Sequence, residues 1–221
     1  MKISLTLELV VKTEFFLKNS VFIRTNENFI DVGGGNMALP QSIEYISEDD
    51  YLRGEQESAI RHEYINGIVY AMAGASDKHN MIAGNAFALL HANLPDHCEV
   101  FMSDMKLRME VQGETIFYYP DVLVSCADDD RAVYYREQPC LIIEVLSQST
   151  RRQDRFEKFM AYKDLSSLQE YLILEQEYRA AALFRRRTGW QAELYQDGDI
   201  HLESVNLTMS MDALYRRVRF V

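Results

Sequence analysis

Tyr119-Pro120-Asp121-Val122-Leu123-Val124 and, beyond a polar stretch, Pro139-Cys140-Leu141-Ile142-Ile143-Glu144-Val145-Leu146-Ser147 are two apolar runs, each broken by a single acid. Runs of about four to eight Val, Ile and Leu bounded by Pro or polar residues read as strands buried on both faces. A carboxylate in such a strand loses several kcal/mol of hydration unless a metal, a cation or hydrogen bonds replace it. Asp121 and Glu144 brought side by side would also repel one another. A divalent cation is the simplest neutraliser, and oxygen ligands suit Mg²⁺ or Mn²⁺. The plainer alternative places each acid at a strand end, in water.

The next segment adds a base. Ser149-Thr150 can cap a helix in which Phe156, Phe159 and Met160 share one face, while at ~100° per residue Asp154, Lys158 and Tyr162 share the opposite one. A lysine is thus presented just after the acid-bearing strand. Taken alone, Asp154 and Lys158 also fit a solvated helical pair worth only ~0.2–0.5 kcal/mol.

Together these residues resemble the PD-(D/E)XK nuclease superfamily, and more closely the bacterial Uma-two family of restriction-endonuclease-like proteins. The matching motifs are His62-Glu63-Tyr64-Ile65-Asn66-Gly67, Ala73-Gly74-Ala75-Ser76 with His79-Asn80, Ser103-Asp104-Met105-Lys106, Tyr119-Pro120-Asp121, Glu144-Val145-Leu146-Ser147 with Ser149-Thr150, and Asp154 to Lys158 to Tyr162. They span about residues 38 to 219. The superfamily pattern sets its lysine two residues after the acid, where this chain has Leu146; the resemblance makes Lys158 the equivalent.

The resemblance implies a metal-dependent phosphodiesterase acting on nucleic acid, with DNA favoured over RNA. Asp121 and Glu144 would hold Mg²⁺ or Mn²⁺ together with the backbone carbonyl of Val145, and Lys158 would orient or help deprotonate the attacking water. Glu63 would approach the metal as a further catalytic acid. His79, Asp104, Ser147, Asp154 and Tyr162 would border the site. By spacing alone His79 is a helix-start capping group and Asp104 a turn residue. The alternative function is a catalytically silent module that keeps the nuclease fold to bind nucleic acid or protein, a reading favoured by the acidic balance and by Leu146. A glycosidase with paired carboxylates has little support, because a single tryptophan leaves no sugar platform.

With 221 residues, 48% of them hydrophobic, the chain suits one domain with a full core; the resemblance implies an α/β, restriction-endonuclease-like fold with a mixed central sheet flanked by helices. That nuclease domain is expected over residues 37–221. Residues 1–36 stand outside the resemblance as a loosely attached extension, broken by Gly33-Gly34-Gly35 before Met37, itself a natural start. A net charge of −11 excludes coating of nucleic acid by bulk electrostatics, so phosphates must meet a local basic groove. Arg151, Arg152, Arg155 and Lys158, or Arg185-Arg186-Arg187, could supply one; the triple arginine reads better as edge-strand charge.

The three cysteines, Cys98, Cys126 and Cys140, are widely spaced without a Cys-x-x-Cys, which indicates neither a disulfide framework nor a zinc ribbon and favours a reduced, cytoplasmic protein. The five histidines show no ligand spacing. No apolar run approaches the ~20 residues that span a bilayer. A homodimer would serve cleavage of two strands, although no pattern demands one.

Along the chain, Ser47 with Asp50 predicts a capped helix running towards Ser58, with Tyr51, Leu52 and Ile60 turned inward. Asn66-Gly67 between Glu63-Tyr64-Ile65 and Ile68-Val69-Tyr70 predicts a two-residue hairpin. A helix follows between Ser76 and Leu94. Met105, Leu107, Met109 and Val111 alternate with Lys106, Arg108 and Glu110 as a strand with one wet face, and residues 116–124 form its antiparallel partner carrying Asp121. Residues 127–138, with Asp128-Asp129-Asp130, read as a solvated loop. Three strands are expected in 170–174, 179–187 and 190–195, and a short closing helix at 211–215.

Overall fold

The computed structural model describes residues 22–25, 28–31, 45–146 and 158–220. Two short strands, β1 (Phe22–Thr25) and β2 (Asn28–Asp31), pair antiparallel within the N-terminal segment. Helix α1 (Glu48–Glu57) begins at Ser47, whose hydroxyl accepts from the Asp50 N–H at 3.2 Å, and three acids fill its first turn. This is the expected cap, with negative charge at the helix's positive end. Tyr51 turns inward as the pattern requires, but Ile60 is exposed and Glu55 is buried instead.

Glu55 is stable there because it is fully engaged. Its Oε1 lies 2.7 Å from His62 Nδ1, and its Oε2 accepts from the Tyr119 hydroxyl at 2.6 Å and from the His62 N–H at 3.2 Å. Burial pushes its pKa up, but the bonds from His62 and Tyr119 outweigh burial and leave it below the usual carboxylate value. A depressed carboxylate adds stability above its unfolded pKa of ~4.3, and loses it as pH falls through the lower folded value. Urea unfolding of the wild type should therefore weaken across that acid window, and Glu55→Gln should flatten this limb; parallel pH profiles would contradict the assignment.

Strands β3 (His62–Ile65) and β4 (Ile68–Ala71) form the expected hairpin, with Asn66 at φ 45° and Gly67 at φ 91°. Both central residues thus take the positive φ that a type I′ turn demands. Helix α2 (Asp77–Asn93) follows, with the Ser76 hydroxyl accepting from the His79 N–H at 3.1 Å. Then come β5 (Glu99–Met102), β6 (Lys106–Val111), β7 (Glu114–Tyr118), β8 (Val122–Ser125), β9 (Tyr135–Arg136) and β10 (Leu141–Leu146). The short α3 (Phe159–Tyr162) leads to β11 (Glu170–Glu175), β12 (Ala181–Arg185), β13 (Ala192–Tyr195), β14 (Asp199–Leu202), β15 (Leu207–Ser210) and the closing α4 (Met211–Leu214).

The strands make two main sheets, one in the order β13-β12-β11-β10-β8-β5 and one in the order β4-β3-β7-β6-β9. The first is mixed, since β10 and β11 run parallel while its other pairs are antiparallel. The expected mixed α/β class is thus observed, but the single strand over residues 116–124 is not. β7 pairs with β6 in one sheet and β8 pairs with β5 and β10 in the other, with Tyr119-Pro120-Asp121 as the crossover. Proline has no N–H to continue the ladder, so the chain leaves one sheet there and enters the next.

Period-two alternation then sorts the core. Val122, Val124, Leu141, Ile143, Val145, Leu172 and Leu174 face Ile82, Ala83, Ala86 and Leu90 of α2 and Leu214 of α4. Leu123, Ile142, Leu146, Tyr171 and Ile173 face the other way, towards Leu107, Met109 and Tyr118 of the second sheet and Tyr162 of α3. Glu144 has the parity of Ile142 and Leu146, so it points to the side where the two sheets meet.

Three further expectations need correction. Asp130 is not solvated: it is 4% exposed and accepts from the Ser125 hydroxyl and the Glu137 and Gln138 N–H groups at 2.9 to 3.0 Å, folding its loop inward. The wet face of β6 is partly dry, because Lys106 is buried with its ammonium 5.3 Å from the Tyr119 ring centroid. Cys98 and Cys126 form a disulfide, since β5 and β8 pair Glu99 with Ser125 and bring the flanking cysteines together. Strand pairing, not sequence spacing, decides that bond. Cys140 is free, and burial pushes its thiol up to about 11.

Candidate active site

Asp121, immediately before β8, stands where the two sheets separate. β8 pairs with β10 only as far as Ile143, so the edge of β10 beyond it lacks a backbone partner from β8. The Asp121 side chain fills that place: its Oδ2 accepts from the Val145 N–H at 2.7 Å. The same oxygen lies 3.2 Å from His79 Nε2 at the start of α2. The cap that Ser76 gives α2 fixes where His79 stands, and Ser76 in turn donates to Gln176 Oε1 at 2.7 Å.

Glu144 faces Asp121 across the gap, its Oε2 3.4 Å from the Asp121 N–H donor nitrogen. Its Oε1 accepts from the Tyr162 hydroxyl at 2.9 Å and lies 3.8 Å from Lys158 Nζ. Burial, then the charge of Glu144, raises the Tyr162 pKa well above its ordinary value. The phenol therefore stays a neutral donor, fixing one oxygen of Glu144.

Lys158 immediately precedes α3 and is nearly buried, with its side chain 10% exposed. Its Nζ lies 2.9 Å from Glu63 Oε1 of β3 and 5.4 Å from the Tyr118 ring centroid. Glu63, Asp121, Glu144, His79, Lys158 and Tyr162 thus meet from five elements, with side chains of Asp121, His79 and Glu63 about one-sixth exposed at 14%, 15% and 17%. The solvated reading of Lys158 gives way to a buried ion pair with Glu63.

The other expected positions fare variously. Asp104 lies at a turn, its side chain 80% exposed and bonded to Arg61 Nε at 3.0 Å; its neighbour Ser103 donates backbone N–H to the Asp121 carbonyl at 3.2 Å. Ser147, Asp154, Arg151, Arg152 and Arg155 lie outside the described residues. The triple arginine is turned to internal partners. Arg185 binds Glu170 and Glu193, Arg186 donates to the carbonyls of Lys163, Leu165 and Leu168, and Arg187 pairs with Glu203. Tyr118, beside Lys158, is a site residue the sequence reading passed over; its place just before the Tyr-Pro-Asp crossover was the available signal.

Chemically, three carboxylates against one ammonium leave an excess of negative charge among the described residues of this mostly buried cluster. Carboxylate oxygens of this kind are what could hold a hard divalent cation.

The chain's comparisons agree with this frame. The Uma2 family model, described as "Putative restriction endonuclease", matches residues 48–213. The Synechocystis protein slr1290 is 33% identical over 180 residues, covering 79% of this chain and 94% of its own, and the Synechocystis protein sll1609 is 33% identical over 144 residues, covering 63% and 80%. The crystal structure of a "putative nuclease belonging to DUF820" from Anabaena variabilis is similar with a TM-score of 0.61 at 15% identity, over 76% of this chain and 96% of that one.

Proposed function

This chain belongs to the Uma2 family and has a restriction-endonuclease-like fold, and from that premise we propose that it is a metal-dependent nuclease, hydrolysing phosphodiester bonds of DNA in preference to RNA. The observation that carries the reading is the convergence of Asp121, Glu144, Glu63 and Lys158 at the parting of two sheets.

The residues fit Mg²⁺ or Mn²⁺. Asp121 and Glu144 would hold the ion, and the Val145 carbonyl is suitably disposed: in an extended strand a residue's N–H and C=O point to the same side, and the Val145 N–H points to Asp121. A bound ion would lower the pKa of its water and stabilise negative charge growing on the phosphoryl oxygens. The protein's part is positional. His79 and the Val145 N–H hold one oxygen of Asp121, and Tyr162 holds one oxygen of Glu144. Glu63 keeps Lys158 at the cleft, where the ammonium can donate to the attacking water or to a phosphate oxygen.

Leu146 favoured the silent-module reading on sequence; Lys158, whose ammonium lies 3.8 Å from Glu144 Oε1, would supply the missing cation. Leu146 itself is fully buried in the core and can take no such role.

The test is incubation with supercoiled plasmid, single-stranded DNA and RNA in Mg²⁺ or Mn²⁺, against an EDTA blank. Nicked or linear plasmid in the metal lanes alone is expected. Intact substrates throughout would leave the fold with a binding role and refute the proposal.

A further inference from the structure

Three cysteines and a histidine that are scattered in sequence meet at the opposite end of the first sheet. Cys98 precedes β5, Cys126 follows β8 and Cys140 precedes β10, on three strands adjacent in the order β10-β8-β5. Cys98 and Cys126 are joined as a disulfide, and the free Cys140 has its Sγ 3.8 Å from Cys126 Sγ. His97 offers a ring nitrogen such that this atom and the sulfurs of Cys98 and Cys126 all lie within 4.8 Å of one another, and Cys140 adjoins that trio through Cys126 and would have to close on the other two to complete a site. At ~3.3 Å per strand residue, the cluster stands roughly 13–17 Å along β8 and β10 from Asp121 and Glu144. It is separate from the carboxylate cleft.

The spacing has a chemical meaning. With Zn–S bonds of ~2.3 Å, two sulfurs on a tetrahedral ion stand about 3.8 Å apart. That is the separation of Cys126 and Cys140. We propose that the reduced protein binds one Zn²⁺ through the thiolates of Cys98, Cys126 and Cys140 and the imidazole of His97. Soft thiolates select zinc where the carboxylates of the cleft select a hard ion, so the two centres would not compete for one metal.

Zinc binding and the disulfide exclude each other, because the bonded sulfurs must separate to become ligands. A dithiol reductant supplies the two electrons. One of its thiolates attacks a sulfur of the Cys98–Cys126 bond and releases the other as a thiolate; its second thiol then resolves the mixed disulfide, leaving two protein thiols and an oxidised, cyclic reductant. Binding of Zn²⁺ to three thiols and a neutral imidazole then releases three protons. Either state ties the same strand ends together, by a covalent bond in one and by an ion in the other. His97 is exposed and gives the ion a route in.

The full chain would be reduced, desalted without oxygen and titrated with Zn²⁺ against a chromophoric chelator, with Co²⁺ as a spectroscopic substitute. One tight equivalent and a thiolate-to-cobalt charge-transfer band are expected for the reduced protein, and neither for the oxidised one. Cys140→Ser and His97→Ala, which leave the disulfide pair untouched, should each weaken binding by about tenfold or more. An Asp121→Asn/Glu144→Gln variant should retain the band, since its change lies in the other centre. Absence of tight zinc binding by the reduced protein, or affinity and band unchanged in Cys140→Ser, would overturn the proposal.

Discussion

Glu144→Gln is expected to lower plasmid cleavage by about a thousandfold or more, which corresponds to ~4 kcal/mol of transition-state stabilisation. The side chain is 5% exposed and sits between Asp121 and Lys158, so the change removes a negative ligand where a cation has to be held. The fold should survive it. The amide oxygen can keep the Tyr162 bond, and Lys158 keeps Glu63 at 2.9 Å, so no buried ammonium is left without a carboxylate. Removing one of several crowded acids also relieves repulsion, so the melting temperature should hold or rise. Near-wild-type turnover in Glu144→Gln would remove Glu144 from the machinery; lost turnover together with a collapsed melting temperature would make it a structural residue instead.

The largest expected loss of stability lies elsewhere, at Arg185. This guanidinium is 5% exposed; its Nε donates to Glu170 at 2.9 Å, a terminal nitrogen donates to the His201 carbonyl at 2.7 Å, and Glu193 takes the third contact. Glu170, 1% exposed, also accepts from the Ser204 N–H and hydroxyl at 2.8 and 2.6 Å. Arg185→Met would strand the Glu170 charge inside the protein, a loss of ~3–5 kcal/mol. For a domain of this size that is a fall of roughly 10 °C in melting temperature. Replacing both partners, Arg185→Met with Glu170→Met, should recover much of the loss, because the stranded charge is gone. A single-variant loss under about 1 kcal/mol would show that the donors of Ser204 and Glu203, not Arg185, hold the Glu170 charge.

The contrast between Glu144 and Arg185 shows what a linear sequence can convey. Asp121 and Glu144 stood out because each interrupts a run that must be buried, and a buried charge demands a partner. Lys158 and Tyr162 followed from helical periodicity, and Glu63 and His79 from the order of motifs. The capped helices at Ser47 and Ser76 and the Asn66-Gly67 turn were legible because their causes are local. What was not legible depends on which strand pairs with which. The switch of sheets at Pro120 split an apparently continuous strand; the pairing of Glu99 with Ser125 made a disulfide from distant cysteines. Asp130 looked like one of three solvated acids, yet the fold aims two backbone N–H groups and a hydroxyl at it alone. Arg185 looked like an edge charge, but β13 pairs outside β12, so its strand is not an edge.

If Asp121, just before β8, and Glu144 of β10 form one ion-dependent centre, calorimetric titration of Mn²⁺ into the protein with its disulfide intact reads it directly. Saturable binding to the wild type is expected, lost in Asp121→Asn/Glu144→Gln with the melting temperature of the variant preserved. Equal Mn²⁺ binding by the folded variant, or none by the wild type, would contradict it.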